Sequence, residues 1–391
     1  MASPKFDIVV YGATGFTGQL VAEYLATHYG DGSLTWAMAG RSKDKLASVR
    51  DAIGAPADTP LIIADSSDVA ALKAMIAQTG SVISTVGPYQ LYGNELIAAC
   101  VEAGTDYFDL CGEPVWMRQM IDKHEAAAKA SGARIVFSCG FDSVPFELGT
   151  FFVQDEAKRA FGATATRVKG RVRDMRGTLS GGTAASAKAT FEAVAKDLSL
   201  VAILNNAFAL TPGFEGPKQP RGNKPAFEDD LQSWAAPFMM ALINTRNVHR
   251  SNMLMGFPYG KEFIYDEMVL TGAGEKGEAN ARRVMAVNSG KTGPNAPKPG
   301  EGPSKEEREN GLYDLLYVAI APDGRQVRAG IKGDRDPGYG STSKMISECA
   351  ICLLRDTPDV AAGFWTPGAA MQHKLIKRLV DHAGLTFEVE T

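Results

Sequence analysis

Near its start the chain reads Phe6-Asp7-Ile8-Val9-Val10-Tyr11-Gly12-Ala13-Thr14-Gly15-Phe16-Thr17-Gly18. The apolar run before Gly12 predicts a strand, and the residues after Gly18 have apolar side chains at helical spacing. In such a unit the first glycine allows a tight turn, the second lets a pyrophosphate approach the main chain, and the third lets the helix lie close to the sheet. N–H groups at the start of the helix would donate hydrogen bonds to the phosphate oxygens and stabilise their negative charge. We therefore predict a dinucleotide site; the alternative is an ordinary βα turn with incidental glycines.

The second predicted strand, Leu34–Ala39, ends at residues that select the cofactor. NAD enzymes usually carry Asp or Glu there, which accepts a hydrogen bond from the ribose 2′-hydroxyl. This chain instead has Arg41, followed by Ser42 and Lys43. Because a guanidinium pairs well with a 2′-phosphate, the sequence predicts NADP(H) rather than NAD. In the alternative interpretation, Arg41 is a solvated residue before a helix whose N-cap is Ser42.

The composition limits the classes of protein to consider. The 391 residues leave room for two domains, and 45% hydrophobic and 22% charged residues are typical of a soluble globular protein. A net charge of −4 with dispersed Lys and Arg argues against nucleic-acid binding. The five cysteines are an odd, sparse set that is typical of reduced thiols. The sequence has no signal-peptide or transmembrane pattern, so we expect a cytoplasmic protein. We also expect a homo-oligomer, a dimer. Peripheral contact with lipid stays open.

Residues 1–145 alternate short apolar runs with amphipathic helical patterns. Such runs are typical of a parallel sheet that is covered on both faces. Because the alternation begins with a phosphate-binding turn, it predicts an α/β fold with an N-terminal Rossmann-type doubly wound parallel sheet. The predicted strands are Phe6–Tyr11, Leu34–Ala39, Leu61–Ala64, Val82–Val86, Asp106–Leu110 and Arg134–Ser138.

The pattern changes after Pro145, and residues 146–391 predict a second, α+β substrate domain built on a mostly antiparallel sheet. A C-terminal helix and strand could pack back on the first domain. We expect irregular loops at Pro212–Pro225 and Lys291–Asn310. The predicted strands are Arg167–Arg173 (half-exposed and antiparallel), Phe263–Thr271, Leu312–Ile320 and Gln326–Ile331, and the predicted helices are Phe146–Phe161, Thr183–Ala202, Pro237–Met253, Thr342–Leu354 and Ala369–His382.

Ligands of a doubly wound sheet bind beyond the carboxyl ends of its strands. Asp65, after the third predicted strand, is placed to meet the adenine. Val86, Gly87 and Pro88, after the fourth, would let the main chain pass close to the nicotinamide half; the alternative is ordinary βα turns. The predicted cofactor-binding residues are Gly12, Ala13, Thr14, Gly15, Phe16, Thr17, Gly18, Arg41, Ser42, Lys43, Asp65, Val86, Gly87 and Pro88.

A reductase also needs a group that gives a proton near the nicotinamide. The polar candidates are Tyr89, Asp109, Glu113, Asp142, Lys188, Tyr339 and Lys344. From these we select four catalytic candidates: Tyr89, Asp142, Lys188 and Tyr339. A carboxylate at a strand end is often the N-cap of the next helix. In the alternative interpretation, Asp142 is such an N-cap and not a catalytic group. The Tyr-x-x-x-Lys pattern of short-chain reductases is absent from the sequence.

Two further glycine-rich turns precede predicted helices of the second domain. Their N–H groups could hold a carboxylate, a thioester oxygen or a phosphate. They predict the substrate-binding residues Ser180, Gly181, Gly182, Thr183, Gly338 and Gly340. We predict no metal site, because the Cys349-x-x-Cys352 pair lies in an amphipathic helical pattern and lacks a second ligand pair.

Six segments form a recognisable combination: Tyr11–Gly18, Ala39–Ser42, Val86–Tyr89, Cys139–Pro145, Ser180–Thr183 and Asp336–Gly340. Together they resemble the saccharopine dehydrogenase-like oxidoreductases, and within these the branch called trans-acting enoyl reductases. The resemblance covers most of the chain. It implies an NADP-binding domain, a second α+β domain, and reduction of a carbon–carbon double bond on a lipid or polyketide intermediate. It carries over no catalytic residue.

The sequence thus predicts an NADPH-dependent oxidoreductase that reduces an α,β-unsaturated acyl, lipid or polyketide-type intermediate, as a small molecule or bound to a carrier. No cluster of arginines for two or more carboxylates is evident near the expected cleft, which argues against amino-acid substrates. Two alternatives stay open. One is an imine or ketone reductase of the saccharopine dehydrogenase type, acting on amino-acid or polyamine substrates. The other is a non-catalytic NADP-binding protein associated with lipid.

Overall fold

A computed structural model describes residues 4–178, 181–288 and 300–390. Strands and helices alternate through the first third of the chain. The rest of the chain contains both strands and helices without this regular alternation. The strands are β1 Phe6–Tyr11, β2 Trp36–Gly40, β3 Leu61–Ile63, β4 Thr79–Ser84, β5 Asp106–Asp109, β6 Arg134–Val136, β7 Arg167–Arg176, β8 Ala226–Glu228, β9 Ser233–Pro237, β10 Ile264–Gly272, β11 Leu312–Ile320, β12 Gln326–Gly333, β13 Gly363–Trp365 and β14 Leu385–Glu390. The helices are α1 Phe16–His28, α2 Lys43–Ala52, α3 Val69–Ile76, α4 Tyr89–Tyr92, α5 Asn94–Ala103, α6 Pro114–Ser131, α7 Val144–Phe161, α8 Gly181–Lys196, α9 Leu200–Asn205, α10 Ala241–Leu254, α11 Gly274–Asn288, α12 Lys305–Glu309, α13 Thr342–Arg355 and α14 Pro367–His382.

The first sheet has seven parallel strands in the order β13-β6-β5-β4-β1-β2-β3. The order reverses between β1 and β4, which creates the crevice where doubly wound sheets bind their ligands. The predicted parallel sheet is confirmed. The fourth strand begins earlier than predicted, at Thr79, because the hydroxyls of Thr79 and Ser81 donate to main-chain oxygens of Phe6 and Asp7. Polar residues can therefore lie in this buried strand.

The second sheet also has seven strands, in the order β14-β12-β11-β7-β10-β9-β8, and is mostly antiparallel as predicted. The alternating segment from Arg167 was predicted to be a half-exposed antiparallel strand. The structure corrects part of this prediction, because β7 is the central strand, antiparallel to β11 as predicted but parallel to β10. Its cationic side chains face acidic partners across the sheet: Arg171, only 2% exposed, pairs with Glu228 and Asp266. Buried ion pairs thus replace solvent on that face.

Three helical segments also differ from the sequence interpretation. The helix predicted over Thr183–Ala202 is divided into α8 and α9, where the carboxylate of Asp197 accepts a hydrogen bond from the N–H of Ser199. The helix predicted from Pro237 begins at Ala241, because the preceding residues form β9. The short helix α12 lies within the predicted loop Lys291–Asn310. Residues 291–299 of that loop lie outside the described residues.

The two sheets are connected by the C-terminal third of the chain. Helix α13 packs against α1, β4 and β5, and β13 extends the first sheet, while β14 is an edge strand of the second sheet. The carboxylate of Glu348 on α13 accepts hydrogen bonds of 2.7 Å from the hydroxyls of Tyr24 and Tyr29. These contacts bury a polar seam between α1 and α13.

Candidate functional site

The glycine turn has the geometry that a pyrophosphate site requires. Gly12 has a φ of +89°, and a Cβ atom placed on it would lie 2.7 Å from Thr85 Oγ1. A Cβ atom on Gly18 would lie 2.1 Å from the main-chain oxygen of Gly12. The N-cap of α1 is Gly15, and no side-chain hydrogen bond caps this helix. Its first N–H groups are thus available to an anion.

The remaining residues of the turn connect it to its surroundings. The N–H of Ala13 donates to the oxygen of Ala39 at 3.1 Å, and the oxygen of Thr14 accepts from the amide of Gln19 at 3.0 Å. Phe16 and Thr17 are half-buried in the first turn of α1. These bonds hold the turn against the end of β2.

The Phe16 side chain contacts residues that come from the far end of the sequence. The ring of Tyr339 meets it edge-on, with centroids 5.2 Å apart. The guanidinium of Arg308 lies 5.5 Å from the Phe16 centroid, a cation–π contact, and Gly302 packs against the same ring. The phosphate-binding turn is therefore in direct contact with the second half of the chain.

Arg41 follows β2, where the adenosine ribose of a dinucleotide would lie. Arg41 and Lys43 are exposed, and neither forms an ion pair with a described residue. The Ser42 hydroxyl accepts from the N–H of Lys45 at 3.4 Å, so this residue is the N-cap of α2. Hydrogen bonds from Ser67 and the charge of Arg41 lower the pKa of Asp65. Arg41 is therefore close to Asp65 and free to meet a phosphate.

Residues that follow β4 line the next part of the carboxyl edge of the first sheet. Val86 is half-buried, Gly87 is exposed and Pro88 is buried. A Cβ atom on Gly87 would be 3.7 Å from the hydroxyl of Ser186 on α8. Helix α8 thus lies over the loop that would face the nicotinamide.

Tyr89 lies just beyond that loop, and its hydroxyl is engaged. It donates to the oxygen of Ser84 at 3.1 Å and accepts from the N–H of Leu110 at 3.1 Å. Burial raises the pKa of Tyr89 well above its ordinary value. The carboxylate of Glu113 accepts from the N–H groups of Tyr89 and Gln90, both at 2.9 Å. Tyr89 thus joins the ends of β4 and β5.

Asp142 lies in the loop after β6, and its surroundings differ from those of the other carboxylates. Its Oδ1 atom is buried and has no hydrogen-bond partner among the described residues. Burial raises the pKa of Asp142 to about 7. Nearby, burial and then the charge of Asp142 raise the pKa of Glu267 on β10 to about 8. The carboxyl group of Glu267 accepts hydrogen bonds of 2.9 Å from Asn244 and Tyr265.

A buried chain of hydrogen bonds runs from Ser143, the residue after Asp142, toward α14. Asn247 donates to the Ser143 hydroxyl at 2.8 Å, and Ser143 donates to Glu147 at 2.6 Å. Glu147 also accepts from Ser251 at 2.7 Å and from the N–H of Gly368 at 2.9 Å. The loop that carries Asp142 is thereby fixed to α7, α10 and α14.

The sequence analysis missed Glu267, Asn244 and Asn247. A signal was present, because Asp266 and Glu267 interrupt an otherwise apolar strand and both are buried. A carboxylate at such a place needs partners or a raised pKa. The two asparagines gave no comparable signal, since amides are common on exposed helix faces.

The other predicted proton donors are exposed, packed against another ring, or engaged by hydrogen bonds or ion pairs. The side chain of Lys188 is 77% exposed and 3.8 Å from Glu192, and the opposite face of α8 presents Thr190 to Gln90. Tyr339 is buried against Phe16. The Asp109 carboxyl group accepts from the N–H groups of Cys111 and Ser138, and Lys344 pairs with Asp334 at 3.1 Å.

The two glycine-rich turns have different surroundings. Gly338 and Gly340 belong to a π-helical turn, Pro337–Ser341, whose N–H groups at Tyr339 and Gly340 donate to the carboxylate of Asp336. That anion site is filled by the chain itself. Gly181, Gly182 and Thr183 form the start of α8, whereas Ser180 lies outside the described residues.

Within the described ranges, no group of three His, Cys, Asp or Glu side chains is arranged to hold a metal ion. All five cysteines are buried free thiols. No helix in the same ranges combines the length and apolarity needed to cross a membrane.

Comparison with known proteins agrees with this geometry. The Saccharopine dehydrogenase NADP binding domain matches residues 8–136. A Mycobacterium tuberculosis protein provisionally named as a trans-acting enoyl reductase is 39% identical over 405 residues, which cover 97% of this chain and 96% of the relative. The trans-acting enoyl reductases of Mycobacterium bovis and Mycobacterium ulcerans are each 35% identical over 407 residues, with the same coverage. The saccharopine dehydrogenase (L-Glu forming) of Saccharomyces cerevisiae has the same fold, with a TM-score of 0.56, 11% identity, and coverage of 99% of this chain and 100% of that one.

The parallel sheet, its glycine turn and the matching domain define an NADP-dependent oxidoreductase of the saccharopine dehydrogenase type. The fold class and the NADP(H) cofactor predicted from the sequence are confirmed. Since the mycobacterial relatives match along nearly their whole length, the chain belongs to the trans-acting enoyl reductase family.

Proposed function

We propose that this protein is an NADPH-dependent reductase of an α,β-unsaturated acyl intermediate. The observation that supports it best is the Asp142 carboxyl group, which has no partner among the described residues and lies in the loop that follows β6, a strand of the first sheet. With its pKa raised to about 7, this group can hold a proton at neutral pH and give it up. The names of the mycobacterial relatives support the enoyl substrate.

The chemistry divides between the cofactor and the chain. Bound NADPH would supply the hydride that adds to the β-carbon of the acyl group. Asp142 would then give its proton to the α-carbon, and the Asp142 carboxylate that remains would take a proton from solvent before the next turnover. The net change is one hydride and one proton added across the double bond.

The same proposal gives each half of the chain a task. Residues 1–145 would hold the cofactor, with Gly12 to Gly18 on the pyrophosphate and Arg41 on the 2′-phosphate. Residues 146–391 would shape the substrate site. The start of α8 would hold the thioester oxygen, since α8 lies against the Gly87 loop, whereas the turn at Gly338 and Gly340 already binds Asp336. A carrier-bound substrate and a dimeric protein belong to the same proposal.

Incubation with NADPH and a panel of enoyl thioesters tests this function. We expect NADPH oxidation together with a saturated product, which takes up one deuterium at the α-carbon when the reaction is run in D₂O. Asp142→Asn should retain NADPH binding and lose most of the turnover. If no thioester in the panel, free or carrier-bound, oxidises NADPH above background, the proposal fails.

One observation favours a second candidate. The unpaired acceptor oxygen of Asp142 would also suit the N–H of an iminium group, as in the reductive amination of a 2-oxo acid. Turnover of a 2-oxo acid with an amine, and none with enoyl thioesters, would select this alternative.

A further inference from the structure

A cation from the second half of the chain lies beside the residue that begins the phosphate-binding helix. Phe16 is the first residue of α1, so its N–H group is among those that a pyrophosphate would contact. The guanidinium of Arg308, on α12, lies 5.5 Å from the centroid of the Phe16 ring. A bound phosphate and this guanidinium would therefore meet the same residue, one at its main chain and the other at its side chain.

Arg308 is held in this position by its own segment. The Ser304 hydroxyl accepts from the N–H of Glu307 at 3.2 Å, and the Glu307 carboxylate accepts from the N–H of Ser304 at 2.7 Å, so α12 begins with a capping box. The main-chain oxygen of Arg308 accepts from the N–H of Asp336 at 3.0 Å. These bonds fix the short helix beside the start of α1.

The charge of Arg308 is not neutralised by an ion pair. Lys305, on the same helix, lies 3.8 Å from the carboxylate of Glu309. Arg308 forms no such pair with a carboxylate in residues 4–178, 181–288 and 300–390, and it donates to the main-chain oxygen of Pro303 at 2.6 Å. A guanidinium has five N–H donors, so donors remain for an anion.

The Asp336 carboxylate does not take up these donors, although the Arg308 charge acts on it. Burial raises the pKa of Asp336, and the charge of Arg308 acts against that rise. One oxygen of Asp336 accepts from the N–H of Tyr339 at 3.0 Å, and the other accepts from the N–H of Gly340 at 2.7 Å. Asp336 is thus engaged by its own turn.

We propose that Arg308 binds the pyrophosphate of NADPH, so that the cofactor is held by both halves of the chain. The glycine turn offers N–H groups and the positive end of α1, which carry only partial charges. Arg308 would add a full charge and the planar group that pairs best with phosphate oxygens. Rotation about its side-chain bonds would direct its N–H groups to these oxygens. The assignment concerns the cofactor alone and does not depend on the acyl substrate.

Titration of Arg308→Gln with NADPH and with NADH tests the inference. Glutamine removes the charge and keeps an N–H donor for Pro303. Because both cofactors have the pyrophosphate, both Kd values should rise about tenfold. Adenosine 2′-phosphate has no pyrophosphate, so its Kd, measured by calorimetry, should not change. Arg308→Met, which keeps an apolar contact with the Phe16 ring, replaces the glutamine variant if that variant does not fold.

Two further measurements separate a charge on the phosphate from a packing role. Arg308→Lys keeps the charge, and both Kd values should return to within about threefold of the wild type. Raising the salt concentration from about 0.05 M to about 0.5 M should weaken NADPH binding less in Arg308→Gln than in the wild type, because one charge pair is missing. Lys305→Ala is the matched control, since it removes a cation from the same helix, and it should leave both Kd values unchanged.

Three results would overturn the inference. Wild-type affinity of Arg308→Gln for both cofactors would do so even if its unfolding free energy fell, since Arg308 would then only join the two halves. A loss confined to NADPH and adenosine 2′-phosphate would place Arg308 at the 2′-phosphate. An equal loss in Lys305→Ala would show that any positive charge on α12 has the same effect.

Discussion

Replacement of Arg41 by alanine tests how the chain selects its cofactor. Arg41 is exposed, lies close to Asp65 and pairs with no described carboxylate, so its full charge is available to a 2′-phosphate. A charge-assisted hydrogen bond contributes about 1.5–3 kcal/mol, and solvent exposure favours the lower part of that range. Taking about 1.5–2 kcal/mol, we expect the Kd for NADPH to rise about 10- to 30-fold, since 1.4 kcal/mol is a factor of ten.

The assay is a fluorescence titration of the protein with NADPH and, separately, with NADH. The Kd for NADH should change by less than about twofold, because NADH has no 2′-phosphate for the guanidinium to meet. Lys45→Ala is the control, since it removes one positive charge from α2 and leaves Arg41 in place. Equal weakening of both cofactors by Arg41→Ala would refute the assignment, as would a Lys45→Ala effect of the same size.

Three other substitutions probe the glycine turn, the proposed acid and the strand ends. Gly18→Ala should abolish measurable NADPH binding in a titration, because its Cβ atom would lie 2.1 Å from the oxygen of Gly12. Asp142→Asn should lower the single-turnover rate of the enoyl reaction about 10²- to 10⁴-fold, the range for losing a general acid, and leave the Kd for NADPH unchanged. In the wild-type protein, the raised pKa of Asp142 contributes stability at low pH, and this stability is lost as the pH rises through about 7. Asp142→Asn should therefore reduce the decrease in unfolding free energy, measured with urea, between about pH 4 and 7. Tyr89→Phe should lower the unfolding free energy by about 1–3 kcal/mol and retain the proton-transfer step, since its hydroxyl joins two strands.

Each of these has a result that would contradict it. Gly18→Ala with wild-type affinity would mean that the turn can shift without loss of the phosphate site. If Asp142→Asn keeps its full rate, another group gives the proton. A large loss of rate in Tyr89→Phe, at unchanged stability, would move the acid role to that hydroxyl.

The glycine turn was predictable because local sequence determines it. A tight turn at Gly12 and a close helix at Gly18 both need residues without a Cβ atom, and this need can be recognised in a single sequence. The position of Arg41 after a strand was also recognisable, and its contact with a 2′-phosphate stays a prediction. These features depend on neighbours within a few dozen residues.

The rest depends on contacts between distant segments, which no local pattern contains. Asn247, for example, is 104 residues from its partner Ser143. The central strand β7 was misplaced for the same reason. Its arginines looked solvated, because Glu228 and Asp266, which neutralise Arg171, lie far along the chain. Polar periodicity indicates which residues share a face and does not indicate what covers that face.

The edge strand β13 has a consequence for how the protein is made. It joins the first sheet beside β6, but its residues are 363 to 365 whereas those of β6 are 134 to 136. During synthesis, the glycine turn and the first six strands of this sheet therefore leave the ribosome long before β13 exists. During that interval the outer edge of β6 presents unpaired main-chain groups, which are a template for pairing with another nascent chain. This half of the molecule can therefore close only after residue 365 has been synthesised.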